Sequence, residues 1–133
     1  MPDEVVTLHV GDSAVVGRRG KEWDVLCWPE NGEYASSTYF VTDDPEPRLN
    51  IGRHPYEHNA FALFSDGVGE IALSQLEQTA HSRFFEPMMR PVDAANGPGR
   101  LSDLSSKLTA FLTSPSVCER TDDDKTLVLI SAD

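Results

Sequence analysis

The first half of the chain is written in short apolar runs separated by turn residues. Residues 5–10, 14–19 and 23–28 form three such runs, and glycines stand in the turns between them. Runs of this length with tight turns predict three consecutive antiparallel strands arranged as a meander. A further run at residues 38–41 predicts a short strand, and residues 48–58 predict either an irregular loop or a short edge strand.

A mainly apolar stretch of seven residues, 59–65, is followed by a carboxylate. It reads Asn-Ala-Phe-Ala-Leu-Phe-Ser and is followed directly by Asp66 and Gly67. The stretch is too short for a helix, so it predicts a buried strand that delivers Asp66 to its end. Gly67 allows the backbone to turn tightly there, and a helical pattern begins at Val68.

The second half of the chain has helical periodicity. One apolar pattern, which predicts a first helix, consists of Ile71, Ala72, Gln75, Leu76 and Thr79. A second predicts a core-facing helix that its two prolines should break or shorten; it consists of Phe84, Phe85, Met88 and Met89, with Pro87 and Pro91. Residues 101–112 predict a third helix, and residues 126–130 predict a closing buried strand. This order predicts an α+β fold in a single domain over residues 1–133.

The charge balance restricts the partners of the chain. Its 133 residues carry 22 acidic and 11 basic side chains, which gives a formal net charge of −11. That surplus repels phosphate backbones and anionic lipid, so neither nucleic acid nor a membrane is an expected partner. Cys27 and Cys118 fit no metal-binding spacing and are expected to be reduced thiols. With no apolar leader in the sequence, we expect a cytoplasmic protein.

Acidic residues recur where apolar runs meet turns. They are Asp12, Asp66 and the run at residues 122–124. Oxygen ligands of this kind suit Mg²⁺ or Mn²⁺, and a cation would remove the repulsion between carboxylates that are brought together. Taken singly, each aspartate is explained as well by turn formation or helix capping. His54 and His58 are four residues apart, but Pro55 between them argues against a helical metal site, and loop positions are expected.

Four motifs in a fixed order resemble one enzyme family. They are Gly-Asp-Ser at residues 11–13, the stretch at residues 32–44, Phe-Ser-Asp-Gly-Val at residues 64–68, and Arg-Thr-Asp-Asp-Asp-Lys-Thr-Leu-Val-Leu at residues 120–129. This series resembles the bacterial branch of the metal-dependent protein phosphatases (PPM class, type 2C), and it covers nearly the whole chain.

The resemblance implies both a fold and a chemistry. The fold would be an antiparallel β-sandwich flanked by helices, in four layers ordered αββα. The chemistry would be hydrolysis of phosphoserine or phosphothreonine in a protein substrate by a water that Mg²⁺ or Mn²⁺ activates, with no side-chain nucleophile. By the same resemblance, Asp66 and Asp123 would be ligands of one catalytic metal, and Asp12 would serve an additional metal.

The resemblance also implies an incomplete domain. The family domain has an earlier half, whose Asp-Gly motif bridges both metals, and the one Asp-Gly of this sequence is Asp66-Gly67. The chain therefore resembles the second half of a phosphatase domain. Two functions stay open: an enzyme that needs the upstream half, or an inactive remnant that binds proteins. Uncovered strands and apolar faces would favour self-association or a complementing upstream half.

Overall fold

The computed structural model describes residues 3–30 and 39–132, which form eight strands and four helices. The strands are β1 (Glu4–His9), β2 (Ala14–Arg19), β3 (Glu22–Cys27), β4 (Asn50–Pro55), β5 (Ala60–Phe64), β6 (Leu73–Ser74), β7 (Thr79–Ala80) and β8 (Leu127–Ser131). The helices are α1 (Asp66–Ala72), α2 (Ser82–Asp93), α3 (Ser102–Leu112) and α4 (Pro115–Cys118). None of these helices is both long and apolar enough to cross a bilayer.

The main sheet has four antiparallel strands in the order β3-β2-β5-β8. Its two inner strands have the most buried residues, and Ala62 of β5 lies between Val16 of β2 and Leu129 of β8. Val16 and Ala62 are fully buried. The strands predicted at residues 14–19, 23–28, 59–65 and 126–130 are therefore confirmed, as is the α+β class.

The predicted meander is wrong at its first strand. β1 pairs with β4 in a separate two-stranded sheet, with Leu8 opposite Ile51. The edge of β2 that faces away from β3 is occupied by β5, because β5 has the apolar residues that a central strand needs. Of the two structures predicted for residues 48–58, an irregular loop or a short edge strand, the strand is the correct one. Residues 39–41 form no strand, and residue 38 lies outside the described part.

The helix predicted through residue 79 is also wrong. α1 ends at Ala72, and β6 and β7 then form a small hairpin in which Gln78 has a φ of 54°. The hairpin keeps Leu73 buried and leaves Leu76 95% exposed, so the helical spacing of these apolar residues was fortuitous.

The second helix is longer than its prolines predicted. α2 runs unbroken from Ser82 to Asp93 and includes Pro87 and Pro91. Each proline removes one backbone hydrogen bond of the helix. The helix nevertheless places its residues Phe85 and Met89 fully in the core. Tertiary packing therefore outweighs the local cost of the prolines.

The hydrophobic core lies between α2 and one face of the main sheet. The ring of Phe85 stacks on Trp23 with centroids 4.9 Å apart and lies 5.5 Å from the ring of Phe64. The indole Nε1 of Trp23 donates a hydrogen bond of 2.9 Å to Glu86, which satisfies its one polar atom. The apolar stripe predicted at residues 84–89 is thus a core stripe.

The opposite face of the main sheet is only partly covered by the described residues. Leu63, Val128 and Ile130 lie on it, with exposed fractions of 39%, 48% and 44%. The β1–β4 sheet reaches one end of this face, and a cavity of about 370 Å³ separates Leu8 from Leu63 and Val128. We call these three exposed side chains the open face.

The two cysteines do not pair. Cys27 is buried, Cys118 is exposed, and both are free thiols.

An ion pair joins the end of α2 to the main sheet, and its contribution to stability should depend on pH. Arg18 of β2 donates to both carboxylate oxygens of Asp93 at 2.8 and 3.2 Å, and this bond holds the pKa of Asp93 below its usual value of 3.8. A lowered carboxyl pKa stabilises the fold above the unfolded value, and that stabilisation is lost as the pH falls through the folded value. Because the Asp93 side chain is 35% exposed, we expect Asp93→Asn to cost about 1 kcal/mol at neutral pH.

Thermal unfolding at several pH values measures this effect. The difference between wild type and Asp93→Asn should shrink as the pH is lowered from about 6 to about 3. Glu4→Gln is the matched control, since Glu4 pairs with Arg53 on the exposed surface, where an ion pair should contribute little or nothing measurable. A difference for Asp93→Asn that stays constant with pH would contradict the prediction.

Candidate functional site

The junction between β5 and α1 presents Asp66 at one end of the main sheet. β5 is fixed by the buried side chains of Ala60, Ala62 and Phe64, and Ser65 precedes the first helical residue. Asp66 begins α1, its residue is exposed, and its Oδ1 accepts a hydrogen bond of 2.9 Å from the Gly67 N–H. The central strand thus carries a carboxylate to an accessible position, as the sequence predicted.

Ser65 attaches the loop at residues 121–126 to this junction. Its N–H donates to the Thr126 carbonyl at 3.1 Å, and its Oγ accepts a hydrogen bond of 3.0 Å from the Thr126 N–H. The same hydroxyl donates to the Asp124 carbonyl at 3.3 Å. One serine therefore fixes the loop that contains Asp123 beside Asp66. Ser65 was not predicted from the sequence as a functional residue, although it directly precedes the Asp-Gly motif.

Gly67 makes the close approach of these two segments sterically feasible. A Cβ at this position would lie 2.2 Å from the Asp124 carbonyl oxygen and 3.3 Å from the Asp123 carbonyl carbon. Both contacts are to backbone, which cannot rotate out of the way. The glycine is needed here for space, in addition to any role in the turn.

The loop is also braced from within. Lys125 Nζ donates to the carbonyl oxygens of Asp123 at 3.0 Å and of Thr121 at 3.5 Å. Asp123 Oδ1 accepts a hydrogen bond of 2.9 Å from the Asp124 N–H, and Thr121 is buried. These bonds hold the loop in one conformation and leave the Asp123 residue exposed. Lys125 is a second residue that the sequence analysis missed.

Asp12 reaches the same end of the sheet from a different turn. It lies between β1 and β2 after Gly11, whose φ of 97° suits glycine and whose carbonyl accepts a hydrogen bond from the Glu30 N–H. Asp12 is half-buried, and it lies close enough to Asp66 for its negative charge to raise the pKa of that carboxyl. The structure thus places two of the predicted aspartates, Asp12 and Asp123, close enough to the third, Asp66, for their charges to act on it.

This arrangement raises the pKa of Asp66. Partial burial of the carboxylate is the largest cause, followed by the negative charges of Asp12 and Asp123; the Gly67 N–H acts in the opposite direction. Like charges and desolvation both disfavour the ionised form, and a divalent cation placed among these groups would offset both.

The ligand atoms available here are of the type that a hard cation prefers, but there are too few of them for a complete site. Carboxylate oxygens are the ligands that Mg²⁺ and Mn²⁺ prefer. Within residues 3–30 and 39–132, however, no three His, Cys, Asp or Glu side chains converge closely enough to hold a metal ion. The described residues therefore supply part of a cation site rather than a complete one.

The two histidines of the sequence analysis have separate structural roles. His54 lies in β4, not in the predicted loop, and its Nε2 is 3.4 Å from Thr7 Oγ1. His58 does lie between strands; it is buried, and its Nε2 is 3.0 Å from Asp24 Oδ2. Its ring occupies the space that a side chain on Gly17 would need, so it is a packing residue of the sheet.

Comparison with known proteins assigns the family. The profile described as "Protein phosphatase 2C" matches residues 1–113. The chain belongs to the protein phosphatase 2C family. The chain is 39% identical over 129 residues to "Serine/threonine-protein phosphatase 3" of Escherichia coli (strain K12). The alignment covers 96% of the chain and 51% of that relative.

Solved structures show that the fold is shared as well. A structure titled "Crystal structure of bacterial serine phosphatase" superposes with a TM-score of 0.56 at 15% identity, and it covers 100% of this chain and 55% of that one. A variant bearing an R161E mutation gives a TM-score of 0.54 at 17% identity, covering 100% and 50%. The α+β arrangement thus matches half of these phosphatase structures. The chain spans about half the length of the relatives it matches.

Proposed function

We propose that this chain supplies one half of the catalytic centre of a metal-dependent phosphatase that acts on phosphoserine or phosphothreonine in proteins. The observation that carries the proposal is the position of Asp12 and Asp123 near Asp66 at one end of the main sheet, close enough for their charges to raise the pKa of Asp66. Membership of the protein phosphatase 2C family supports the same chemistry.

The proposed roles follow from the positions of the aspartates. Asp66 and Asp123 would hold one Mg²⁺ or Mn²⁺, and Asp12 would serve an additional ion. When bound, such ions neutralise phosphate charge and lower the pKa of a coordinated water towards about 7. Ser65 and Gly67 keep Asp66 and the loop of Asp123 in register, while the exposed positions of both aspartates give a protein substrate access.

The same proposal includes the rest of the domain. The open face, formed by Leu63, Val128 and Ile130, would pack against a second sheet and so complete the four-layer αββα sandwich. The remaining metal ligands would come from that other half, which accounts for the incomplete donor set of this chain.

Complementation tests the enzyme. The chain is co-expressed with, or fused to, the segment of the E. coli phosphatase that it does not cover, and phosphate release from phosphoserine and phosphothreonine peptides is followed with Mn²⁺ and with EDTA. Mn²⁺-dependent release by the combination is the expected result. A folded complex of the two parts that stays inactive at all Mn²⁺ concentrations would refute it.

A second function, a protein-binding remnant without activity, is favoured by one observation. Leu63, Val128 and Ile130 expose apolar surface of the kind that marks interaction sites. Sedimentation of the isolated chain tests it, because a binding remnant should self-associate or capture the complementary segment. A monodisperse, cooperatively unfolding monomer that ignores that segment would count against it.

A further inference from the structure

His9, the last residue of β1, is buried and hydrogen-bonds to the turn that carries Asp12. It is 6% exposed, and its Nε2 lies 2.8 Å from the carbonyl oxygen of Ser13. A carbonyl oxygen can only accept a hydrogen bond, so Nε2 carries a proton and donates it. The bond joins the residues on the two sides of Asp12 and therefore closes the turn between β1 and β2.

The turn is held at the carbonyl groups on both sides of the aspartate. The Gly11 carbonyl accepts a hydrogen bond of 2.9 Å from the Glu30 N–H, and the Ser13 carbonyl accepts from His9. The first bond comes from the backbone, so any residue except proline at position 30 could make it. The second comes from a side chain, so it depends on the identity of residue 9.

Packing alone does not fix this turn. Asp12 is half-buried and Ser13 is exposed. Val10, Ser13 and His9 itself line the cavity of about 370 Å³ that lies beside β1. A void provides no contacts on one side of the atoms that line it. Hydrogen bonds therefore contribute a large share of what determines the position of the turn.

A buried histidine can also be a plain structural residue whose polar atoms have found partners. Two observations favour a larger role for His9. Its acceptor belongs to Ser13, an exposed residue that water can reach, so the fold does not require this particular bond. The bond also spans Asp12, which lies close enough to Asp66 for its charge to act on that carboxyl.

We propose that His9 is a positioning residue, which fixes the turn between β1 and β2 and so places Asp12 beside Asp66. Its role parallels that of Ser65, which fixes the loop of Asp123 by hydrogen bonds to the backbone. The consequence for metal binding rests on the proposed function, in which Asp12 serves an additional ion. The hydrogen bond itself involves no ion, so the two can be tested separately.

Amide hydrogen exchange of the chain alone, in EDTA, tests the role of His9 in the turn. The reporter is the Glu30 amide, which is bonded to the Gly11 carbonyl and is not touched by the substitution. In His9→Leu this amide should exchange at least about fivefold faster, because the turn is released. His9→Gln should restore most of the protection, since the glutamine amide can donate from nearly the same position.

His54→Leu is the matched control for the exchange experiment. His54 lies in β4 of the same two-stranded sheet, opposite Val5, at the end of the sheet away from the turn. Its Nε2 is 3.4 Å from Thr7 Oγ1, so the substitution also removes an imidazole and its hydrogen bond. The Glu30 amide should exchange at the wild-type rate in this variant.

Mn²⁺ binding by the complemented domain tests the consequence for the ion. The chain is combined with the segment of the E. coli phosphatase that it does not cover, and bound Mn²⁺ is followed by electron paramagnetic resonance. His9→Leu should weaken about tenfold the binding component that Asp12→Asn removes, while thermal unfolding in EDTA changes little. In the Asp12→Asn background, His9→Leu should have no further effect, because it acts through Asp12.

The possible results separate this proposal from the proposed function. Faster Glu30 exchange in His9→Leu that His9→Gln reverses supports the positioning role. An unchanged Glu30 amide overturns it, as does a loss of Mn²⁺ affinity that persists in the Asp12→Asn background, or no loss of affinity at all. If the wild-type complemented domain binds no Mn²⁺, the proposed function fails, and the exchange result on the chain alone still decides whether His9 fixes the turn.

Discussion

Asparagine in place of Asp66 should reduce Mn²⁺-dependent phosphate release by the complemented phosphatase at least about hundredfold. The amide is nearly the same size as the carboxylate, and it keeps the oxygen that accepts from Gly67. It lacks the charge that would hold a cation. Because the change also removes repulsion with Asp12 and Asp123, the unfolding temperature in EDTA should stay the same or rise. Steady-state kinetics and thermal unfolding of the same preparation check both parts.

Neighbouring aspartates provide the controls for this expectation. Asp123→Asn should behave like Asp66→Asn, because Asp123 is the proposed companion ligand. Asp122→Asn changes the same charge at an adjacent exposed residue and should retain activity. Normal turnover in both the Asp66 and Asp123 variants would refute the metal-ligand roles.

Alanine at Gly67 should destabilise the protein by about 3 kcal/mol. The added Cβ would lie 2.2 Å from the Asp124 carbonyl oxygen, so either α1 or the loop at residues 121–126 would have to move. Movement of the loop would break the hydrogen bonds that Ser65 makes to Asp124 and Thr126. Urea unfolding measures the loss, and the complemented variant should have lost activity as well.

Gly69→Ala is the matched control in the same helix. Its Cβ would contact Leu73 and Phe64 at 3.8 and 3.9 Å, which are ordinary van der Waals distances. Alanine is the better helix former, so this variant should gain about 0.5–1 kcal/mol. Equal effects of the two substitutions would show that the close approach at Gly67 is unimportant.

The central strands were predictable because their pattern leaves little choice. Residues 60–64 are apolar throughout and are followed by Ser65 and Asp66, so both the burial of the strand and the position of the carboxylate follow from the sequence. The partner of β1 did not follow, since β2 could pair with either β1 or β5, and long-range packing decides between them. The helical spacing of Leu76 with Ile71 and Ala72 misled for a similar reason: periodicity does not reveal that a hairpin intervenes.

The candidate site was predictable in its residues but not in its supports. Asp12, Asp66 and Asp123 stand out because acidic residues at strand ends are recognisable one at a time and by family resemblance. Ser65 bonds to the backbone of Asp124, which is distant in sequence, and Lys125 bonds to the backbone of Asp123 within its own loop. The spacing of a serine or a lysine in the sequence does not predict such hydrogen bonds, so only the folded structure reveals them.

The three aspartates come from the turn after β1, the end of β5 and the segment before β8, so they join widely separated parts of the polypeptide. An ion held by Asp66 and Asp123 would cross-link the end of β5 to the segment before β8, and an ion at Asp12 would add the turn after β1. Removal of the ions would therefore destabilise the main sheet as a whole, including parts that are distant from the metal site.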